Sequence, residues 1–182
     1  MGAGVLPVAI HRGELYFLFG EEADEHKWID FGGGEKPGES ILQNAIREGC
    51  EELNGFFGSA NEFKQLIKTN LIMKLNLETY TTFLVQVPYD PNLPFYFNNH
   101  HKFIKTHLPH LISKNGLFEK RQIKWMTLAE MQEKRLQFRH YYRPMLDQLN
   151  QYAGLLSKRV APFQTQRALP FQTQRASPFK PA

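Results

Sequence analysis

The 182-residue chain has one cysteine, Cys50. An internal disulfide is excluded, and a chain of this size without a disulfide framework suits a reducing compartment, so the expected setting is cytoplasmic. Cys50 adjoins apolar helix positions, which points to a buried, inert thiol rather than a nucleophile. Long hydrophobic runs are lacking too. The apolar Val5 to Ile10 is far short of the roughly 20 residues of a membrane helix and has no basic leader, so neither a membrane partner nor a secretory signal is expected.

Acidic residues thin out along the chain. Residues 1–100 carry 7 Lys and Arg against 14 Asp and Glu, residues 101–156 carry 10 against 4, and residues 157–182 carry 5 against none. An acidic half followed by a basic half suits a polyanion bridged between them; ordinary solvated charge is the plain alternative. From Ala161 the chain repeats with a period of eight, as APFQTQRA, LPFQTQRA and SPFKPA. The repeat is too short and too poor in aliphatics for a solenoid, so a domain over residues 1–158 is expected to be followed by a disordered basic tail over 159–182. Arg167, Arg175 and the interleaved phenylalanines suit weak RNA binding, a peptide ligand or an inert linker.

Glycine and glutamate are concentrated in one stretch, Gly33 to Gly55, reading GGEKPGESILQNAIREGCEELNG. Glu48, Glu51 and Glu52 stand at helical intervals beside Arg47, so their carboxylates share one face of a helix. Charges that close repel one another unless something neutralises them, and the pattern asks for a divalent metal; a solvated helix face is the plain reading of such a cluster. Ser40 and Gln43 form a capping box after the Pro37-Gly38 turn, and Asn54-Gly55 tolerates the left-handed backbone that ends a helix. Leu42, Ile46, Gly49 and Leu53 share the side roughly opposite the glutamates. A mid-helix glycine costs about 1 kcal/mol against alanine. At position 49 it would let another element approach closely.

Around this helix, Val5 to Ile10 and Leu15 to Phe19 read as a hairpin about His11-Arg12-Gly13-Glu14, and Lys27 to Phe31 as a third strand. Gly32-Gly33-Gly34 follow as an irregular stretch able to point a carbonyl at an ion. Residues 61–68 read as a helix, and Asn70 to Leu77 with Thr79 to Val87 as a second hairpin. After the proline-broken 88–94, the segment from Phe95 to Lys114 gathers aromatics, histidines and lysines, a candidate specificity insertion. Asn115 to Lys120 is a turn before the strand Gln122 to Met126. Thr127 and Glu130 cap a helix over 128–135, and a last helix over 138–156 is kinked or started by Pro144. Strands before and after a helix predict a mixed sheet with helices on its faces.

The spacing of Gly33, Glu39, Arg47, Glu48, Glu51 and Glu52 resembles the Nudix box, G-x5-E-x7-R-E-U-x-E-E-x-G-U. Gly49, Asn54 and Gly55 depart from it at positions that carry no metal chemistry, and Phe31 replaces a proline often found before the glycine pair. The resemblance implies an α+β fold, an α/β/α sandwich with a Nudix-like mixed sheet flanked by helices. It implies hydrolysis of a diphosphate joined to another group, with Mg2+ or Mn2+ held by Glu48, Glu51, Glu52 and the Gly32 carbonyl. Arg47 and Glu39 would pair and pin the glycine stretch to the helix. Glu52 and Glu51 count as catalytic, and Glu119, in the loop before a late strand, is the alternative base to Glu51. Phe118-Glu119-Lys120 with Ile123-Lys124-Trp125 is also similar to Nudix proteins of large DNA viruses over a short stretch.

The box leaves the substrate open. A nucleotide-derived molecule, with the 5′ end or cap of RNA as a special case, fits the basic second half and the aromatics Trp28, Phe95, Tyr96 and Tyr141. Lys102, Lys105, Arg139 and Arg143 are the matching phosphate partners. A diphosphoinositol polyphosphate would need the cations without the stacking. A silent nucleotide- or RNA-binding module would not need the full carboxylate set.

Overall fold

The structure is a computed structural model and describes residues 1–112 and 116–160; Lys114, Asn115 and the repeat tail lie outside them. β1 (Gly2–His11) and β2 (Glu14–Glu22) form a hairpin whose turn residues Arg12 and Gly13 have φ of 51° and 82°. β1 is buried on both faces: Ala3, Val5 and Ala9 enter one core, Leu6 and Val8 the other. That two-sided burial explains why the strand reads as an unbroken apolar run.

β1 runs parallel to β6 (Tyr80–Gln86) along one edge, and β5 (Leu71–Asn76) closes that side as an antiparallel neighbour. Along its other edge β1 is shared: residues 8–11 pair with β2, whereas residues 2–5 pair with β4 (Phe31–Gly34). β2 in turn pairs with β3 (Trp28–Ile29) and, on its far edge, with β7 (Lys120–Met126). β1 and β2 thus fork, and Trp28 to Gly34 fills the gap. The result is a mixed seven-stranded sheet.

Helices cover both faces. α1 (Ile41–Glu52), α2 (Ala60–Asn70) and α3 (Leu93–His107) share a core with Phe31, Phe83, Ile123 and Trp125. α4 (Leu128–Glu133), α5 (Arg143–Gln151) and α6 (Ala153–Arg159) close the opposite core over Phe17, Phe19 and Trp28. The architecture is the expected α/β/α sandwich. The Ser40–Gln43 and Thr127–Glu130 capping boxes are both formed, and a third, Ser59–Glu62, starts α2. Among the described residues no helix is long and apolar enough to cross a membrane.

Three expectations need correction. Lys27 to Phe31 is not one strand but two short ones separated at Asp30, each with a different partner. The glycines that follow are extended strand, not an irregular loop. Gly32 and Gly33 are small because neighbours press on them: a Cβ on Gly32 would overlap Gly4 and the Tyr80 hydroxyl, and one on Gly33 would lie 2.8 Å from the Glu48 carboxyl. The last helix is divided, with α5 starting where Pro144 occupies its first turn and a second break at Tyr152.

Gly49 is buried where α2 crosses α1. A Cβ there would sit 2.5 Å from Phe63 Cε1, a ring itself only 1 % exposed. Overpacking of this kind costs about 1–3 kcal/mol, against about 1 kcal/mol gained in helix propensity. Gly49→Ala is therefore expected to lower the urea midpoint, and Gly49→Ala combined with Phe63→Leu to recover it; a more stable single variant would show that the helices are not in contact there.

Candidate functional site

The fork in the sheet opens into a cleft of about 620 Å³ between β4, α1, residues 116–119 and the start of the α5 region. Glu22, Glu48, Glu51, Glu52 and Glu119 line it, with Lys36, Arg47, Arg139 and Tyr141. α1 supplies the densest set, since its helical spacing and the extended β4 beneath it hold the glutamates against the glycine strand.

Arg47 organises the outer part. Its Nε and Nη2 donate to the two Glu39 oxygens at 2.7 and 2.9 Å, Nη1 to Glu48 at 2.7 Å and Glu51 at 3.1 Å, and Nη2 also to the Gly34 carbonyl at 3.1 Å. The guanidinium holds the Glu39 carboxyl down at about 2. Asn44, buried beneath, donates to the Gly33 carbonyl at 3.0 Å and accepts from Arg47 at 2.9 Å. Helix and glycine strand are joined at two successive carbonyls.

The inner part is a buried charge cluster. Glu52 is 3 % exposed; its Oε2 accepts the Gly32 N–H at 2.7 Å, and its Oε1 lies 2.9 Å from Lys120 Nζ. Burial pushes the Glu52 carboxyl up to about 8, with the Lys120 ammonium pulling it back. Burial opposes the charge on Lys120, but Glu52 and Glu22 outweigh it and hold the ammonium above its ordinary value. Glu22 stands 3.7 Å from Lys120 and is clasped by Arg139, whose Nη2 also reaches Glu25 at 3.3 Å. Behind them Asp30, fully buried, accepts from the Tyr80 and Thr82 hydroxyls at 2.7 Å each. Burial raises the Asp30 carboxyl to about 6 against those two hydrogen bonds.

Chemically, this donor set suits a hard divalent cation. Glu48 is raised above the usual carboxylate range, first by burial and then, against Arg47, by Glu51 and Glu119. Like charges facing one cleft are what such an ion neutralises. Among the described residues no three His, Cys, Asp or Glu side chains are already arranged to hold an ion, since Arg47 engages Glu48 and Glu51 while Lys120 takes Glu52.

The residues named from sequence divide sharply. Glu48, Glu51, Glu52, Glu119, Gly32, Arg47 and Arg139 all line the cleft, and Glu39 supports it through Arg47. Trp28 does not: it is 5 % exposed in the core between the sheet and α5, so it presents no face for stacking. Phe95 and Tyr96 are exposed on α3 outside the cleft lining, as are Lys102 and Lys105, because the buried face of α3 is Phe97, His101 and Ile104. Arg143 is turned away, donating to the Leu136 carbonyl at 3.2 Å. Glu52 also corrects the helix wheel, being buried under β4 and β7 rather than on an open face.

Sequence reasoning missed Lys120 and Asp30; Glu21, Glu22, Asp24 and Glu25 read from sequence as an acidic solvent loop with help to a metal as the alternative, and Glu22 instead ends β2 in the cleft wall. Alternation back from Trp125 and Ile123 would turn Arg121 inward. A bulge in the β2–β7 ladder makes the switch: Glu21 pairs with Gln122 but Glu22 with Lys120. The available signal was an aspartate inside an otherwise apolar Trp28-Ile29-Asp30-Phe31 run.

Solved structures at TM-scores above 0.5 share this fold. One is a C. elegans Ap4A hydrolase binary complex, with TM-score 0.53 and 20 % identity over 87 % of this chain and 99 % of that one. Another is a bifunctional NMN adenylyltransferase/ADP ribose pyrophosphatase from Francisella tularensis complexed with AMP and Mn ion, with TM-score 0.52 and 14 % identity over 82 % of this chain and 41 % of that one. A NUDIX hydrolase from Nitrosomonas europaea aligns over 92 % of this chain and 96 % of its own, at 18 % identity and TM-score 0.47. No protein-family model and no curated protein matches the chain.

Asp30, buried behind the cleft carboxylates, yields a pH test. Its proton is held to about pH 6 in the folded protein against 3.8 for the free group, so its stabilising contribution is complete below about pH 4 and is lost as pH rises through about 6. In Asp30→Asn that dependence disappears, because the amide keeps an acceptor and the Thr82 hydroxyl can turn to receive its N–H. Thermal melts in the presence of a chelator should show wild type losing more stability than the variant between pH 4 and 7; parallel profiles would refute the assignment.

Proposed function

We propose that this chain, whose fold is that of the Nudix hydrolases, hydrolyses a diphosphate linkage in a nucleotide-derived substrate with the help of a divalent metal. The observation that carries this reading is the composition of the cleft wall: five carboxylates, few uncommitted cations and one aromatic ring. Arg47 is fully engaged by Glu39, Glu48 and Glu51, and of the two cations at the opening Arg139 already pairs with Glu22 and Glu25 while Lys36 lies 4.0 Å from Glu51. Two cations are too few for a densely phosphorylated inositol but suit a diphosphate. Tyr141, 47 % exposed, is the one aromatic among the described lining residues and offers a stacking face for a base. The likeness to an Ap4A hydrolase supports the same class. The 5′ end or cap of RNA remains the special case that the basic second half and the tail favour.

Mg2+ or Mn2+, when held by Glu48, Glu51, Glu52 and the Gly32 carbonyl, supplies charge neutralisation and polarises the phosphate oxygens. The chain's own residues do the rest. Glu119 is the better base to take a proton from the attacking water: it has no ion pair among the described residues, whereas Glu51 accepts from Arg47 at 3.1 Å. Arg139 and Lys36 meet the non-reacting phosphate oxygens. Arg47 keeps the glycine strand and the metal helix in register.

Two experiments test this. Glu52→Gln should abolish turnover with Mg2+ or Mn2+ while leaving the circular dichroism spectrum as in the wild type; a fully active Glu52→Gln would sink the metal assignment. Purified protein should also be offered capped RNA, nucleoside diphosphate derivatives, dinucleoside polyphosphates and diphosphoinositol polyphosphates in parallel. Tyr141→Ala is expected to raise KM about tenfold for base-containing substrates, the worth of one stacked base. Preference for the diphosphoinositol, unaltered in Tyr141→Ala, would overturn the nucleotide reading.

A further inference from the structure

Asn54 stands where the Nudix pattern has glycine, and its backbone is left-handed, with φ of 50°. Glycine would adopt that conformation without strain, so the backbone alone does not call for asparagine. What the side chain adds is an acceptor. Asn54 Oδ1 receives the Phe118 N–H at 3.0 Å, 64 residues along the chain.

Phe118 is the unusual partner. It too is left-handed, with φ of 62°, a conformation that bulky residues avoid unless their surroundings impose it. Its ring is 8 % exposed and packs edge-on to His100 at 5.4 Å. On one side of it, Gly116 lies so near α1 that a Cβ would be 2.6 Å from Glu51 Oε2. On the other, the Glu119 carbonyl accepts the Ala23 N–H at 2.8 Å. Asn54 Nδ2, meanwhile, is buried without a protein partner among the described residues. A buried donor left unpaired is unfavourable, and a residue needed only for its backbone would be glycine. The amide is there for its oxygen.

We propose that Asn54 is a positioning residue whose hydrogen bond to the Phe118 amide ties the end of the metal helix to residues 116–119 and so sets Glu119 against Glu48 and Glu51. The inference rests on the reading of Glu119 as the base. It also gives the departure from the family pattern at position 54 a purpose.

Asn54→Gly removes only the side chain and suits the left-handed backbone, so the variant should fold, with Tm moved by no more than about 4 °C. Deuterium exchange of the Phe118 amide, followed by NMR, should speed up about tenfold or more once its acceptor is gone. Mn2+ binding measured by electron paramagnetic resonance should be unchanged, while kcat falls about 10- to 100-fold at near-constant KM. Asn54→Asp, which keeps the acceptor, should restore both the protection and most of the rate. A protected Phe118 amide in Asn54→Gly overturns the proposal. So does an unaltered kcat when Glu119→Gln is inactive, or a lost rate that Asn54→Asp fails to recover. If Glu119→Gln keeps the wild-type rate, the base reading fails instead, and Phe118 exchange alone decides whether Asn54 holds the loop.

Discussion

The Arg47 guanidinium is the interaction on which the site depends. It has five N–H donors in a rigid plane, and they reach Glu39, Glu48, Glu51, Asn44 and the Gly34 carbonyl. Three carboxylates brought this close would otherwise repel one another, and the glycine strand would keep only its Asn44 and Glu52 hydrogen bonds to α1. A lysine could not replace it, since a point charge lacks the two-pronged geometry that Glu39 receives.

A second cation, Lys120, serves the interior. Breaking a buried ion pair by removing one partner typically costs about 3–5 kcal/mol, because the other charge is left without compensation. Here the compensation is shared: Lys120 meets Glu52 and Glu22, and Glu22 meets Arg139. The cluster occupies the place where β1 and β2 separate, so the irregularity in the sheet and the concentration of charge have one origin. Strands that fork cannot fill the gap with ladder hydrogen bonds alone. Asp30, Tyr80 and Thr82 fill it with side-chain ones.

Legibility followed distance along the chain. The α1 glutamates, Arg47, Glu39 and the Ser40–Gln43 cap lie within one loop and about three turns of helix, where spacing dictates neighbours. The hairpins were legible for the same reason. Trp28 was misjudged because an aromatic suited to stacking is equally suited to a core, and only the packing of α5 over β3 chooses between them. Phe95 and Tyr96 are set outside the cleft by the helix phase of α3, which buries Phe97 and His101 instead. Lys120, placed in a turn by the sequence, was missed as a buried site residue because the bulge at Arg121 reverses the alternation that sequence alone assumes.

The sequence by itself determined the chemistry that the chain can attempt. Carboxylates, an arginine and glycines at fixed intervals on one helix and the segment before it are local quantities, set by a rise of about 1.5 Å per residue. Tertiary structure alone decided which distant groups join them. Glu22, Arg139 and Tyr141 reach the cleft, and Lys120 reaches Glu52 beneath it, only because strands β2 and β7 pair with a bulge and residues 139–142 fold back over β3. Those contacts depend on register and on which side of a sheet each residue falls, and a shift of a single residue reverses the second.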